Sequence, residues 1–357
     1  MKITRIDAIP VRVPMRQGVV NSPAFDRDVP LASFADLVKH ILRVRTDGGL
    51  EGIGETYRGV PEADIRRNID LLVGKDPMAL NLGALPIPKD RAYDGFEVAL
   101  FDLVGKALSV PVWKLLGGRY RDRVLVDYWC GRQTPEDIGR TARTAVERGF
   151  TGLKMKCALE DPMVERVRAI AEASGPAFRI IIDPNERFHH PAHAIRLARQ
   201  LEGYHVELFE DPVPRWNLDW YALIRQKTTI PVALHIHLPY GHSPRDLIAA
   251  IKKEAIDYLN IGGNMADFVR LSATADLAGI PVWHGTEVDL GILDASYVHA
   301  CAAAKNCTLG SDIIGNFLRE DDLIVDPISF QDGHALVPDG PGLGVELDEK
   351  ALERYRV

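Results

Sequence analysis

The chain has no unbroken apolar run approaching the ~18 residues that a membrane-spanning helix needs. Its opening, MKITRIDAIPVRVPM, lacks the apolar core of a secretion signal. These two absences set the expectation of a cytoplasmic protein with no membrane partner. Basic blocks are missing too: 43 Lys and Arg stand against 50 Asp and Glu, a net charge of -7, which argues against nucleic acid as a partner. Cysteine is scarce. Cys130, Cys157, Cys301 and Cys307 show no CxxC spacing, which excludes a disulfide framework and a thiolate zinc site and fits reduced thiols. With 46% hydrophobic and 26% charged residues, extended disorder is excluded as well.

What the chain does have is a period. Lys156, Asp183, Glu210, His235, Asn260, His284 and Asp312 fall at intervals of 27, 27, 25, 25, 24 and 28 residues. That length is one strand plus one crossover helix, so the marked residues should end successive parallel strands. Strands repeated in this way close into a (β/α) barrel whose C-terminal rim carries the active site. The run Val124 to Tyr128, ending at Trp129, supplies the first strand. Short apolar runs at 152–155, 179–182, 206–209, 232–234, 258–261 and 280–283 supply the next six. Thr134-Pro135, Asp161-Pro162, Pro191 and Ser243-Pro244 mark starts of crossover helices.

The ends of the chain read differently. Residues 2–13 and 36–57 alternate as strands around the turn Asp47-Gly48-Gly49, and helical patterns follow at 62–74 and 93–108. This gives an α+β domain over 1–118, a barrel over 119–320, and a C-terminal segment, 321–357, that includes a hairpin at 329–337 and returns to the N-terminal layer. Gln17 to Pro30 is a candidate flap.

Several rim residues could do chemistry. Lys154 and Lys156 share one face of their strand, and two close ammonium groups disfavour each other's charge, so one could serve as a base near neutrality. Asp183 and Glu210 would repel unless a cation stood between them, and a divalent metal is the simplest resolution. Asn185 could add an oxygen or a hydrogen-bond donor. His235 and His237 share a face, and one of them could complete a three-residue metal set. An imidazole ligand would suit Mn²⁺ better than three carboxylates would. His284 would face Lys156 across the mouth, oriented by Asn260 or Asp257. Cys130 and Cys157 lie beside rim positions, but small buried packing residues are the plainer reading.

GLEGIGETY, FEVALFDLVGKALSVPVWKLLGG, GFTGLKMK, the DPN and FEDP strand ends and VPDGPGLGVELDE occur here in order. Together they resemble the enolase superfamily, in its mandelate racemase/muconate lactonizing enzyme branch, over nearly the whole chain. The resemblance implies an α+β capping domain built from both termini over a modified (β/α)₇β barrel. It implies a divalent metal, normally Mg²⁺, and an enediolate formed by removing the proton α to a carboxylate of a small-molecule acid. By position, Lys156 would be the base and Lys154 its assistant at the substrate carboxylate. Asp183 and Glu210 would be the first two metal ligands and His235 the third, with His237 next in line. Gly262 replaces the lysine usual in the muconate-type branch, and WHG looks more like the sugar-acid dehydratases. Tyr57 and Arg58, with the flap, would select the substrate, and Asn185, His237 and Asn260 would contact it.

The resulting expectation is a lyase. Lys156 takes the α-proton, His284 protonates a departing β-hydroxyl, and a hydroxy or sugar acid becomes a 2-keto acid. Racemisation, epimerisation and muconate-type cycloisomerisation use the same intermediate and stand as alternatives. A binding homologue without catalysis is the alternative of another class. The family's dimers and octamers imply a homo-oligomer.

Overall fold

A computed structural model describes residues 1–16, 18–25, 37–238 and 243–357 of the chain. The N-terminal layer is an antiparallel sheet of β1 (Ile3–Val11), β2 (Lys39–Thr46) and β3 (Glu51–Glu55), joined at the expected Asp47–Gly49 turn, where Gly49 takes φ 77°. Helices α1 (Glu62–Leu72), α2 (Tyr93–Leu108) and the short α3 (Val112–Leu115) follow. The sheet and α2 pack backbone to backbone. A Cβ on Gly54 would stand 2.2 Å from the Gly95 carbonyl oxygen, and one on Gly52 would stand 2.3 Å from that of Ala99. Gly52 and Gly54 of GLEGIGETY are therefore there to let the helix approach.

The barrel alternates β5 (Tyr128–Cys130), α4 (Pro135–Glu147), β6 (Gly152–Lys156), α5 (Met163–Ser174), β7 (Arg179–Asp183), α6 (Pro191–Gln200), β8 (Val206–Glu210), α7 (Leu218–Lys227), β9 (Val232–His237), α8 (Pro244–Lys252), β10 (Tyr258–Gly262), α9 (Met265–Leu277), β11 (Val282–His284) and α10 (Gly291–Ala303). Seven strands pair in parallel in sequential order. The ring closes through bridges from Val282 to Cys307 and from Ser311 to Val126, so the eighth strand is only a bridged stretch. Thr134 caps α4 by accepting the Asp137 N–H, and Ser243 forms a capping box with Asp246 at α8. Asp161 does not cap α5. It accepts from Arg132 and Arg166 instead.

Two expectations need correction. The run from Val124 to Tyr128 is not one barrel strand, because its start is a separate strand, β4 (Arg123–Leu125), and only β5 joins the barrel. The partner of β4 is the C-terminal hairpin, β12 (Phe330–Gln331) with β13 (His334–Leu336). The hairpin therefore sits at the base of the barrel, and it is the later tail that reaches the N-terminal layer, where Arg356 bridges Val11. After α11 (Gly315–Leu318), that tail ends in α12 (Glu349–Tyr355).

Of the expected flap, residues 18–25 are described and the rest lies outside the described residues. Its described arm lies against the loop after β5: Gly131 donates to the Val20 carbonyl at 2.8 Å and Arg132 to Asn21 Oδ1 at 2.8 Å. Gly131 allows this, since a Cβ there would stand 2.1 Å from Asn21 Oδ1.

Strand alternation decides which residues see the barrel interior. Ile181, Leu208, Ala233 and Trp283 form one buried cluster, with Tyr258 and Leu309 against it. That is the floor of the mouth. Two residues further along the strands come Asp183, Glu210, His235, Asn260 and Gly285, which form the layer above it. Replacing Gly54 by Ala is expected to cost about 1–3 kcal/mol through overpacking against α2, measured as a lower denaturation midpoint with an unchanged slope.

Candidate active site

Lys154 sits at the centre of the layer above the floor. Its ammonium is 2.7 Å from Glu210 Oε2, 2.8 Å from Asp312 Oδ2 and 3.3 Å from Asp183 Oδ2. Lys156 pairs with the same Asp183 oxygen. Burial pulls the Lys154 ammonium toward neutrality, but Asp312, Glu210 and Asp183 outweigh it and hold its pKa well above the ordinary value. The sequence expectation that lysine–lysine repulsion would dominate therefore fails at Lys154, since three carboxylates surround that amine. Lys156 is the more open of the two, with 12% of its side chain exposed against 4% for Lys154.

Asp183 and Glu210 are fully buried. Burial works against the Asp183 charge, but Lys156 and then Lys154 hold its pKa below the ordinary value. Glu210 is pushed upward by burial and by the Asp183 charge. Asn260 donates to Glu210 Oε1 at 2.7 Å, and His235 Nδ1 lies 3.5 Å from the same oxygen. Burial, then the neighbouring His237 and Lys154, keep His235 well below its ordinary pKa and hence neutral. Its Nε2 is buried with no hydrogen-bond partner.

Glu210, Asp211 and His235 offer ligand atoms that lie within 4.8 Å of one another. This grouping differs from the expected Asp183, Glu210 and His235, and Asp211 is the residue that sequence reasoning missed. Alternation would turn Asp211 away from the mouth, but φ 43° re-aims it. Its Oδ1 accepts the His235 N–H and the Tyr221 hydroxyl, both at 3.0 Å, so Asp211 fixes the neighbouring strand, while its buried Oδ2, without a hydrogen-bond partner and 3.6 Å from Arg215, is left as a candidate ligand atom. Two carboxylates and a neutral imidazole whose buried Nε2 has no hydrogen-bond partner fit a divalent cation. A cation bound there would favour the ionised form of Glu210, which burial and the Asp183 charge otherwise push toward the protonated one.

His284 is not at the mouth. Its neighbours settle this, since Trp283 lies in the floor cluster and a Cβ on Gly285 would meet Asn260 Oδ1 at 2.4 Å. Alternation points His284 outward, into the helical layer. There it stacks on Tyr297 at 4.1 Å and lies 4.7 Å from Phe268. Its Nδ1 lies 2.7 Å from the Gly285 carbonyl and its Nε2 3.2 Å from that of Gly263. Burial pushes its pKa down to about 4. A group so placed cannot act as the imidazolium acid that the sequence suggested, and Asn260 orients Glu210 rather than His284.

The remaining expected residues fall as follows. Asn185 donates its backbone N–H to Asp183 Oδ1 at 3.0 Å. His237 stacks on His235 at 5.5 Å and meets the Tyr57 ring edge-on at 5.4 Å. The two imidazoles fill the space that a side chain at Gly262 would need, since its Cβ would meet His237 Cδ2 at 2.9 Å and His235 Nε2 at 3.1 Å. Arg58 is held by Glu287 of the loop after β11, and Arg91 joins it there. Asp257 lies at the start of β10, bound to Arg225 and the Val232 N–H. Cys130 and Cys157 are buried, and burial raises both thiols, Cys130 to about 12, which leaves them unreactive.

Two family models cover the chain. The mandelate racemase/muconate lactonizing enzyme N-terminal domain matches residues 31–117, and the enolase C-terminal domain-like model matches residues 137–351. N-succinyl-L-Arg/Lys racemase of Bacillus cereus is 27% identical, with 100% of this chain and 98% of that protein covered. D-xylonate dehydratase of Haloferax volcanii is 32% identical over 89% of this chain and 85% of its own length. The crystal structure of muconate cycloisomerase from Pseudomonas fluorescens superposes with a TM-score of 0.83 at 26% identity, covering 99% of each chain.

The outward placement of His284 has a pH signature. Its folded pKa lies below the unfolded value of about 6.5, so the unfolded chain takes the proton first and stability is lost as pH falls from about 6.5 toward 4. His284→Asn should reduce the stability difference between about pH 7 and pH 4.5 by roughly 2–3 kcal/mol, measured by denaturant unfolding at the two pH values. An unchanged difference would return His284 to the solvent-accessible mouth.

Proposed function

Because this chain belongs to the mandelate racemase/muconate lactonizing enzyme branch of the enolase superfamily, an enzyme group of isomerases and lyases, we propose that it removes the proton α to the carboxylate of a small acid and completes a β-elimination on the same face. Dehydration of a hydroxy or sugar acid to a 2-keto acid is the reaction this reading favours. The observation that carries it is the asymmetry of the mouth. Two lysines enter from β6, while the position that would place a lysine opposite them is Gly262, closed by imidazoles.

Lys156, as the free amine, takes the proton from Cα. The electron pair of the broken C–H bond moves into the carboxylate, which gains a second negative charge. Lys154, held as an ammonium by Asp312 and Glu210, stands where that charge develops and stabilises it without reorganising. Lys156 then returns its proton to the β-oxygen as the Cβ–O bond breaks. Water leaves and the enol tautomerises to the 2-keto acid. This same-face route needs no second acid and so survives the loss of His284 from the mouth. Asp183, Glu210 and His235 would hold a divalent cation, Mg²⁺ or Mn²⁺, which when bound supplies Lewis-acid stabilisation of the carboxylate. Tyr57, Arg58 and His237 would line the substrate, and Asn185 and Asn260 would hold Asp183 and Glu210 in place.

A racemase or epimerase is the second reading, favoured by the stacked His235 and His237 on the side of Gly262. Cycloisomerisation would use the same-face route with a ring oxygen as the leaving group.

Acid sugars, acylated amino acids and muconates incubated in D₂O and followed by proton NMR separate these outcomes. The expected result is loss of water, with the configuration at Cα of unreacted substrate preserved. Deuterium entering both epimers without loss of water would establish the racemase instead. Lys156→Ala should lower turnover by about 10²–10⁴-fold. Glu210→Gln should weaken Mn²⁺ binding, read by calorimetry, by more than about 100-fold, and unchanged binding would remove Glu210 from the metal set.

A further inference from the structure

The loop after β11, residues 285–290, carries two carboxylates that reach into the N-terminal layer. Asp289 pairs with Lys39 of β2, and its other oxygen accepts the Tyr297 hydroxyl and the Glu287 N–H, both at 3.0 Å. Lys39 is also 2.6 Å from Glu55 of β3. Glu55 in turn accepts the Leu290 and Leu293 N–H groups at 2.9 Å, at the start of α10. All three side chains are buried. Two residues before Asp289, Glu287 accepts Arg58 at 2.9 Å through its carbonyl, and its carboxylate lies 3.3 Å from Arg58 and 3.2 Å from Arg91. Arg91 reaches back to the Arg58 carbonyl at 3.1 Å.

The two anchors bracket one short stretch of the cap. Glu55 is two residues before Tyr57, and Thr56 is tied to His40, the neighbour of Lys39, through bonds of 2.9 Å in both directions. Between Glu287 and Asp289, Val288 sits at φ 56°. A β-branched residue adopts that conformation only where its surroundings impose it. Here Arg319 Nε donates to the Val288 carbonyl at 2.7 Å and helps hold that conformation. A strained loop pinned by Asp289 to Lys39 of β2 and by Glu287 to Arg58 and Arg91 in the loops of the N-terminal layer behaves as a rigid bracket.

We propose that the 285–290 loop is a positioning element for substrate selection. Asp289 and Glu287 are positioning residues that hold Tyr57 and Arg58 at a set height over the mouth. The inference rests on the reading that Tyr57 and Arg58 line the substrate, and it assigns to the seventh-strand loop a duty in recognition rather than in proton transfer. Lys39, Glu55 and Asp289 form a desolvated ion triad that cannot slide without leaving a charge unpaired. Glu287 then sets the two arginines relative to it.

Amide hydrogen exchange on the whole protein tests the bracket without a substrate. In Glu287→Gln and Asp289→Asn, exchange at residues 56–59 should rise about tenfold or more while that at 206–210 stays unchanged. Lys39→Arg should retain protection that Lys39→Met loses. Glu287→Gln removes no buried charge of the triad, so it remains informative where Asp289→Asn does not fold. With a turned-over acid in hand, Glu287→Gln should raise KM about tenfold and leave kcat within about threefold. Unchanged protection at 56–59 in Glu287→Gln, or a fall in kcat with KM unaltered, would overturn the proposal. Failure to find any turned-over acid would count against the proposed reaction and leave the exchange result to decide the bracket.

Discussion

The ammonium of Lys154 inside a ring of carboxylates is the contact on which this molecule's architecture turns. Glu210, Asp312 and Asp183 come from three different strand ends and meet at one buried atom. Buried carboxylates tolerate such proximity around a positive charge, or by one of them taking up a proton. Barrel register, strand parity and the late bridged strand all serve to bring them there. The same contact divides the work of two lysines that look equivalent in GLKMK. Lys154 is surrounded by carboxylates that hold it as a fixed charge, while Lys156, two residues further along and nearer solvent, is the one to which the proposed reaction gives the base's role.

The rim was legible because chemistry and geometry share a period. A strand and its crossover helix consume about 25 residues, so polar residues recurring at that spacing mark strand ends. What a spacing of this kind does not resolve is a slip of one residue, and in a strand a slip of one changes the face. His284 shows the consequence. It breaks an otherwise even series with intervals of 24 and 28, whereas Gly285 restores 25 and 27. A glycine carries no functional group, so the residue that faces Asn260 leaves no chemical mark on the series, while the histidine beside it does. The irregular interval was the signal. Asp211 was hidden for a related reason, since its left-handed backbone lies outside what alternation can express. The split of Val124 to Tyr128 into β4 and β5 depended on a partner more than 200 residues away, which no local pattern carries.

With His284 turned into the helices, the end of β11 loses a catalytic role and the loop after it gains a mechanical one. The stack of His284 on Tyr297, and the Tyr297 hydroxyl on Asp289, join the outer face of the barrel strand to the ion triad beneath the cap. A neutral imidazole suits that place. It fills the volume between two aromatic rings, and both of its nitrogens lie near backbone carbonyls. A charged one there would repel nothing useful and would cost its own desolvation.

The fate of the abstracted proton then follows from what faces the substrate on each side. A group that inverts a carbon centre must have proton donors on both faces. A group that eliminates can work from one, provided the base that removed the α-proton can reach the leaving oxygen. Lys156 is partly open and, among the described carboxylates, pairs with Asp183, which suits a donor that serves two atoms of one ligand. The opposite wall is built from His235 and His237, and one of them is committed by position to Glu210. Replacing a long lysine by glycine on β10 thus moves the positive charge of the site to one side. That is the physical reason for favouring same-face elimination over proton exchange between faces.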